Sequence, residues 1–159
     1  MLIDGDVRLR PAKLPDDIDL ALEWYQDPEL LYFSEGTSTP YDREQVERMY
    51  TSLAKNCELY IIEVKIGEEW VPIGDASLCE QSLPIAIGVG EFRSRGIGKR
   101  VLKMLISRAR KLGREKLVVK GVYTYNERAR HLYEGAGFKL TATVFDEGGT
   151  PQWQFELKL

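Results

Sequence analysis

The sequence predicts a mixed α/β domain in which helices alternate with mostly antiparallel strands along 159 residues. Short segments with alternating apolar and polar residues, such as Val7–Arg10, indicate strands. Longer segments carry apolar residues at helical spacing, most clearly from Gly96 to Leu112. No linker, repeat or low-complexity segment interrupts this order, so we expect residues 1–159 to form a single domain.

The first half of the chain is expected to hold a strand, two helices and then a run of strands. The strand Val7–Arg10 precedes a helix that begins near Pro15 and ends or changes direction at Asp27-Pro28. A second helix opens at Asp42, after a segment rich in turn-forming residues. The strands expected next are Leu59–Ile66, Trp70–Leu78 and Leu83–Val89.

The second half is expected to alternate helices and strands before a closing hairpin. The helix at residues 96–112 has a continuous apolar stripe, and Gly113 suits its C-terminal cap. The elements expected after it are a strand at Lys116–Tyr123, a helix at Asn126–Glu134, and hairpin strands at Phe138–Phe145 and Gln152–Leu157.

Composition narrows the class of protein. Hydrophobic residues make up 43% of the chain and charged residues 30%, and no apolar run reaches the length of a membrane span. The N-terminus lacks the pattern of a signal peptide. Two cysteines, Cys57 and Cys79, and one histidine indicate neither a disulfide framework nor a zinc site; Cys79 is expected to be a buried thiol. These features favour a cytoplasmic protein that does not act at a membrane.

Charge is divided unevenly between the two halves. Residues 1–80 contain 18 acidic and 7 basic residues, a net charge of −11, whereas residues 81–159 contain 7 acidic and 15 basic residues, a net charge of +8. This asymmetry suggests a cationic partner for the first half and an anionic one for the second, or two solvated faces. A nucleic acid is disfavoured because the bases cluster at one loop instead of forming a stripe with stacking aromatics.

The segment Arg93–Lys99 has the features of a phosphate site. It follows a strand, contains Gly96 and Gly98, and opens a basic amphipathic helix whose first backbone amides lack intrahelical partners. Glycines let a phosphate approach such amides closely. The spacing fits neither the dinucleotide fingerprint nor the P-loop, and a glycine-rich strand-to-helix turn without a ligand is the alternative.

Two motifs resemble those of the GCN5-related N-acetyltransferase (GNAT) superfamily. Arg93-Ser-Arg-Gly-Ile-Gly98 resembles its pyrophosphate loop, [Q/R]-x-x-G-x-[G/A]. The segment Asn126–Phe138 resembles its N-x-x-A-x-x-x-Y-x-x-x-G-F pattern, with Asn126 and Tyr133 about two helical turns apart on one face. Together the motifs cover residues 83–138, and the order of elements extends the match across the chain.

The resemblance implies a fold and a donor. The fold would be a central mixed, mostly antiparallel sheet of about 6–7 strands with splayed parallel central strands, flanked by about four helices. The donor would be acetyl-coenzyme A, lying between the strands Leu83–Val89 and Lys116–Tyr123. The residues expected to bind it are Ile87, Gly88, Val89, Arg93, Arg95, Gly96, Ile97, Gly98, Lys99, Asn126 and Tyr133.

The resemblance also implies direct attack of an amine on the thioester. Tyr133 would protonate the departing thiolate, and a backbone amide near Val89 would polarise the thioester oxygen. The general base is open. Glu80 is the first choice, followed by Asp75 and then Glu35.

The acceptor is expected to meet the first two helices, their loop and the closing hairpin. That region contains aromatic and acidic residues suited to a cationic amine: Trp24, Tyr25, Tyr32, Phe33, Glu35, Tyr41 and Tyr50. A small amine, polyamine, aminoglycoside or peptide N-terminus would each fit. A coenzyme A-binding or sensor module without turnover is the alternative, and a homodimer is possible.

Overall fold

The computed structural model describes all residues, 1–159, and contains eight strands and five α-helices. The strands are β1 (Leu2–Asp4), β2 (Val7–Pro11), β3 (Glu58–Ile66), β4 (Glu69–Leu78), β5 (Ile85–Ile87), β6 (Lys116–Tyr123), β7 (Lys139–Phe145) and β8 (Pro151–Lys158). The helices are α1 (Asp16–Trp24), α2 (Pro28–Glu35), α3 (Arg43–Asn56), α4 (Ile97–Lys111) and α5 (Glu127–Gly135).

The strands form two antiparallel sheets. One has five strands in the order β1-β2-β3-β4-β5, and the other has three in the order β6-β8-β7. The mixed α/β class is therefore confirmed, whereas one central sheet of six or seven strands with splayed parallel strands is not. β5 is only three residues long and pairs with β4 alone, so β5 and β6 are edges of different sheets. The amide of Lys120 on β6 donates to the carbonyl of Gln81, which lies just before β5.

Two N-terminal elements differ from those expected. β1 adds a hairpin strand to β2 around Gly5, whose φ is +59°. The dipeptide Asp27-Pro28 starts a helix of its own, α2. The Asp27 side chain accepts a hydrogen bond from the amide of Glu29, and proline is well tolerated in the first turn of a helix.

One core joins the two sheets. Val101, Leu102 and Leu105 of α4 are buried in a single apolar cluster with residues of β2–β4 and of β6 and β8, including Phe155. A second cluster packs α1, α2 and α3 against β3. None of the helices is both long and apolar enough to cross a membrane.

The cysteines form a disulfide, contrary to the expected buried thiol at Cys79. Pairing of β3 with β4 places Glu58 opposite Leu78, so the flanking residues Cys57 and Cys79 are neighbours with Cα atoms 4.5 Å apart. The bond joins the end of α3 to the end of β4. The cysteines therefore give no support to the cytoplasmic location expected from the sequence.

Candidate active site

A single cavity of about 740 Å³ lies between the two sheets and the helices beside them. Gly96, Gly98 and Lys99 line one end of the cavity, and Glu35 and Asp75 line the other. Asn126 and Tyr133 of the second motif also line it. The two motifs thus face one continuous space, although three residues expected to bind the donor, Gly88, Val89 and Arg95, do not line it.

The N-terminus of α4 presents unpaired backbone amides to this cavity. None of the amides of residues 94–99 donates a hydrogen bond within the chain. Gly96 has a φ of +78°, and a Cβ atom there would meet nothing within 4 Å; at Gly98 the nearest atom, Leu132 Cδ2, is 3.9 Å away. Free amides, open space and the positive end of the helix dipole together suit a phosphate group.

Arg93 contacts α2, although its motif position predicted a phosphate contact. Its Nε donates to the carbonyl of Ile87 at 2.9 Å, and its Nη2 lies 2.9 Å from Asp27 Oδ2. This ion pair lacks the angle of a good hydrogen bond, since Nη2 is buried without a hydrogen-bond partner. The Arg93 side chain is 15% exposed, and its charge lowers the pKa of Asp27, although burial of Asp27 opposes that effect. Arg95 is exposed, with its guanidinium over the Phe92 ring.

The backbone amide near Val89 that was expected to polarise the thioester oxygen is already paired. The amides of Gly88 and Val89 both donate to the carbonyl of Ile73, at 2.7 and 3.1 Å. Backbone pairing with β4 thus continues beyond the last ladder residue of β5, which leaves the Val89 amide committed. A Cβ atom on Gly88 would lie 2.1 Å from Trp24 Cγ, so this glycine makes room for a core tryptophan.

Asn126 caps α5 and links it to α2. Its Oδ1 accepts a hydrogen bond from the amide of Ala129 at 3.0 Å, and its Nδ2 donates to the carbonyl of Phe33 at 3.4 Å. An asparagine cap is favoured because it satisfies a backbone amide that the helix leaves free. The second motif therefore has a local structural role in addition to the donor contact expected of it.

Tyr133 places its hydroxyl group at the wall of the cavity. The side chain is 6% exposed and packs against Phe138 and Phe155. Its hydroxyl donates to the carbonyl of Leu83 at 3.1 Å. Burial raises the pKa of Tyr133 above that of an ordinary tyrosine, so the hydroxyl carries its proton at neutral pH.

Asp75 lies at the other end of the cavity and is 2% exposed. Hydrogen bonds from Tyr50 and Tyr25, at 2.6 and 3.0 Å, both reach its Oδ2, and Oδ1 has no partner in the chain. Burial raises the pKa of Asp75 to about 6, although the two hydrogen bonds oppose this. A carboxylate with a pKa near neutral can both accept and release a proton.

Glu35, at the C-terminus of α2, is the second carboxylate at this end. Its Oε2 accepts a hydrogen bond from Tyr41 at 3.4 Å. The stacked rings of Tyr41 and Tyr25 link it to Asp75, since their hydroxyls donate to Glu35 and Asp75 respectively. Burial, and next the negative charge of Asp75, raise the pKa of Glu35.

Comparison with known proteins identifies the family. The family model described as an acetyltransferase (GNAT) domain matches residues 6–139. The chain belongs to the GNAT acetyltransferase family. Its donor is accordingly acetyl-coenzyme A, as the sequence resemblance implied.

Solved structures share this GNAT fold over nearly the whole chain. A domain from Methanocaldococcus jannaschii superposes with a TM-score of 0.84 and 20% identity, covering 98% of this chain and 100% of that one. An aminoglycoside acetyltransferase in complex with coenzyme A superposes with a TM-score of 0.78 and 19% identity, covering 96% of this chain and 94% of that one. Spermidine N-acetyltransferase from Vibrio cholerae, in complex with coenzyme A and spermine, has a TM-score of 0.77 and 17% identity. The match covers 98% of this chain and 96% of that one.

The first-choice base of this GNAT enzyme lies away from the cavity. Glu80 is exposed in the turn after β4 and does not line the cavity, whereas the other two candidates, Asp75 and Glu35, do. Glu80 lies in the exposed turn two residues after the end of β4, and the chain meets the cavity again only from Ser82 onwards. The sequence did contain a signal for Asp75, because this acidic residue interrupts the strand segment Ile-Gly-Asp-Ala-Ser-Leu, which is buried in the structure.

The early aromatic residues have different surroundings. Trp24 is core, Tyr25 and Tyr50 bind Asp75, and Tyr41 stacks on Tyr25 with ring centroids 5.8 Å apart. Tyr32 and Phe33 pack with Tyr125, which stacks on Tyr123. Sequence reasoning missed these two second-half tyrosines, because nothing local marks strand β6 and its following turn as neighbours of α2.

Proposed function

We propose that this protein transfers the acetyl group of acetyl-coenzyme A to a primary amine by direct attack. The observation that carries the proposal is the single cavity, which joins unpaired amides, a protonated tyrosine and a buried carboxylate. The structural neighbours named for acetylating aminoglycosides, spermidine and ribosomal-protein alanine all use amine acceptors.

The donor would bind at the basic end of the cavity. Amides of residues 95–99, from Arg95 through Gly96, Ile97 and Gly98 to Lys99, would bind the pyrophosphate, with positive charge from Arg95 and Lys99. The pantetheine arm would run along the free edge of β5 near Ile87 towards Asn126. Gly88 and Val89 would maintain the shape of this edge through their backbone hydrogen bonds to Ile73, and Arg93 would hold α2 beside it. The donor supplies an acetyl group activated as a thioester.

Two residues of the chain would handle protons. Asp75 Oδ1, the carboxylate oxygen without a partner, would accept a proton from the incoming ammonium. Tyr133, which holds its proton firmly, would give it to the sulfur as the thiolate leaves. Enclosure of both groups keeps the amine and the thioester in place, which supplies part of the rate.

The test is thiol release by the purified protein with acetyl-coenzyme A and a panel of amines. The panel should include monoamines, diamines, aminoglycosides and peptides with free N-termini. We expect stoichiometric thiol and N-acetyl product from at least one of them. If coenzyme A binds and no amine yields thiol, a coenzyme A-binding module without turnover becomes the better description.

A further inference from the structure

The buried acidic residues of this protein fall into two groups. Asp17 on α1 and Glu63 on β3 are buried, and both pair with the guanidinium of Arg10 at 2.9 Å. Asp75 is at least as buried and has no cationic partner, and neither has the half-buried Glu35, which lines the same cavity. A carboxylate that is buried or half-buried without a counter-charge is costly, and the two that lack one, Asp75 and Glu35, both line the cavity.

Proton transfer to Asp75 neutralises only one of the two carboxylates, Asp75 itself. In the proposed reaction an ammonium reaches the Asp75 carboxylate and leaves its proton there, so the pair becomes a neutral acid and a neutral amine. Glu35 then still carries a negative charge in a half-buried position next to the reacting amine. A cation that stays charged throughout the reaction would balance it.

We infer that the acceptor is a compound with at least two positively charged amino groups, one placed at Asp75 and a second held by Glu35. This inference rests on the proposed function and specifies its acceptor class. Tyr25 and Tyr41 stack beside the two carboxylates, and their hydroxyls donate to Asp75 and Glu35. These hydroxyls fix the two carboxylates in place, and the negative charge of the carboxylates favours a cationic acceptor over an acidic one.

The chemical step balances with these groups. The ammonium gives one proton to Asp75, and its nitrogen forms the new C–N bond as the C–S bond of the thioester breaks. The sulfur takes the Tyr133 proton, and the second proton released by the nitrogen restores the Tyr133 hydroxyl. The Asp75 proton passes to solvent, so one proton is released for each amide and thiol formed. The charge on Glu35 and the second amino group do not change.

The experiment compares α,ω-diamines of three to five carbons with monoamines of equal chain length. For wild type we expect kcat/KM at least about tenfold higher with a diamine, because a charged hydrogen bond is involved. Glu35→Gln should bring this ratio close to one while monoamine turnover continues. Calorimetric binding of diamine to the protein with coenzyme A should weaken in the same variant. Glu80→Gln, which changes an exposed carboxylate outside the cavity, should leave both quantities unchanged.

Two outcomes separate the failure of this inference from that of the proposed function. Equal use of monoamines and diamines, or a preference that survives in Glu35→Gln, would overturn the dication assignment and leave the amine acetyltransferase intact. If neither the monoamines nor the diamines react, the inference is tested with aminoglycosides and peptides as acceptors. Turnover limited to multiply charged acceptors and lost in Glu35→Gln supports the inference, and turnover of a singly charged peptide N-terminus overturns it. No thiol from any amine removes the proposed function itself.

Discussion

At the scale of single residues, Asp75 is held in a way that is unfavourable for stability. Its side chain accepts two tyrosine hydrogen bonds and is buried without a cation. The pKa is raised from 3.8 to about 6, so keeping the carboxylate ionised in the folded protein above pH 6 costs about 3 kcal/mol. This cost grows from pH 4 to pH 6 and disappears below pH 4, where the carboxyl is neutral in both states.

Asp75→Asn should therefore exchange activity for stability. We expect turnover to fall by about 10²-fold or more, since a general base is removed. The free energy of unfolding at pH 8 should rise by up to about 3 kcal/mol, and by less at pH 5. Denaturant unfolding at the two pH values measures the difference, with Glu80→Gln as the exposed control. An equal change at both pH values would contradict the raised pKa.

Tyr133→Phe removes a single hydroxyl group and so tests its role in catalysis separately from coenzyme A binding. The change removes a hydroxyl that donates to Leu83 and leaves the ring packed against Phe138 and Phe155. We expect kcat to fall by about 10²-fold, with a stability loss of about 1 kcal/mol. Coenzyme A affinity, measured by calorimetry, should stay within about twofold. Tyr60→Phe, which removes a hydroxyl bonded to Glu58, is the matched control. Unchanged kcat in Tyr133→Phe would exclude the acid role.

At the scale of elements, the two ends of α4 provide a controlled test of the phosphate site. Gly96 and Gly113 flank the helix with nearly equal φ angles, +78° and +79°, and open space around each. Valine at either position should cost about 1–2 kcal/mol through left-handed backbone strain. Only Gly96→Val should also weaken coenzyme A binding, by at least about tenfold, because only that end meets the cavity. Equal coenzyme A affinity in the two variants would refute the site.

The contact between the phosphate loop and α2 predicts a different effect for each arginine of the motif. Arg93 joins Asp27 and Ile87, whereas Arg95 is exposed between two residues that line the cavity, Ser94 and Gly96. Since α2 carries Glu35, Arg93→Gln should raise the KM for the acceptor severalfold with little effect on coenzyme A affinity. Arg95→Gln should do the reverse. Steady-state kinetics with both substrates varied would measure the two effects. A similar loss of coenzyme A affinity in both variants would disprove the separate roles of the two arginines.

At the scale of the whole molecule, we expect the two sheets to unfold together as one domain. α4 packs its apolar face into a core shared by both sheets, so neither keeps a complete core alone. Trp70 lies on β4 and Trp153 on β8, so variants that retain one tryptophan report on one sheet each. Their fluorescence transitions in denaturant should share one midpoint. Two midpoints would show separate units.

Local signals in the sequence determined much of the donor half. The spacing of glycines, the strand before them and the apolar stripe after them predicted the turn at Gly96 and the helix α4, which the structure confirms. The sequence likewise predicted that Asn126 starts a helix and that Tyr133 lies on the same face of it. These features depend on contacts within a few residues, so backbone preferences and helical period are enough to predict them. The donor-binding roles of these residues stay predictions.

Only the tertiary structure decided the acceptor half. It placed Glu35 and Asp75 on one cavity, joined Arg93 to Asp27, paired Cys57 with Cys79 and left Glu80 outside that cavity. Each of these outcomes depends on burial and pairing between residues far apart in the chain, and composition at either position does not reveal them. The sequence by itself thus determined which donor this protein uses and where the helix for its phosphates begins. Packing of the early helices against β4 decided which carboxylates face the acceptor, because a carboxylate acquires its chemistry from what surrounds it.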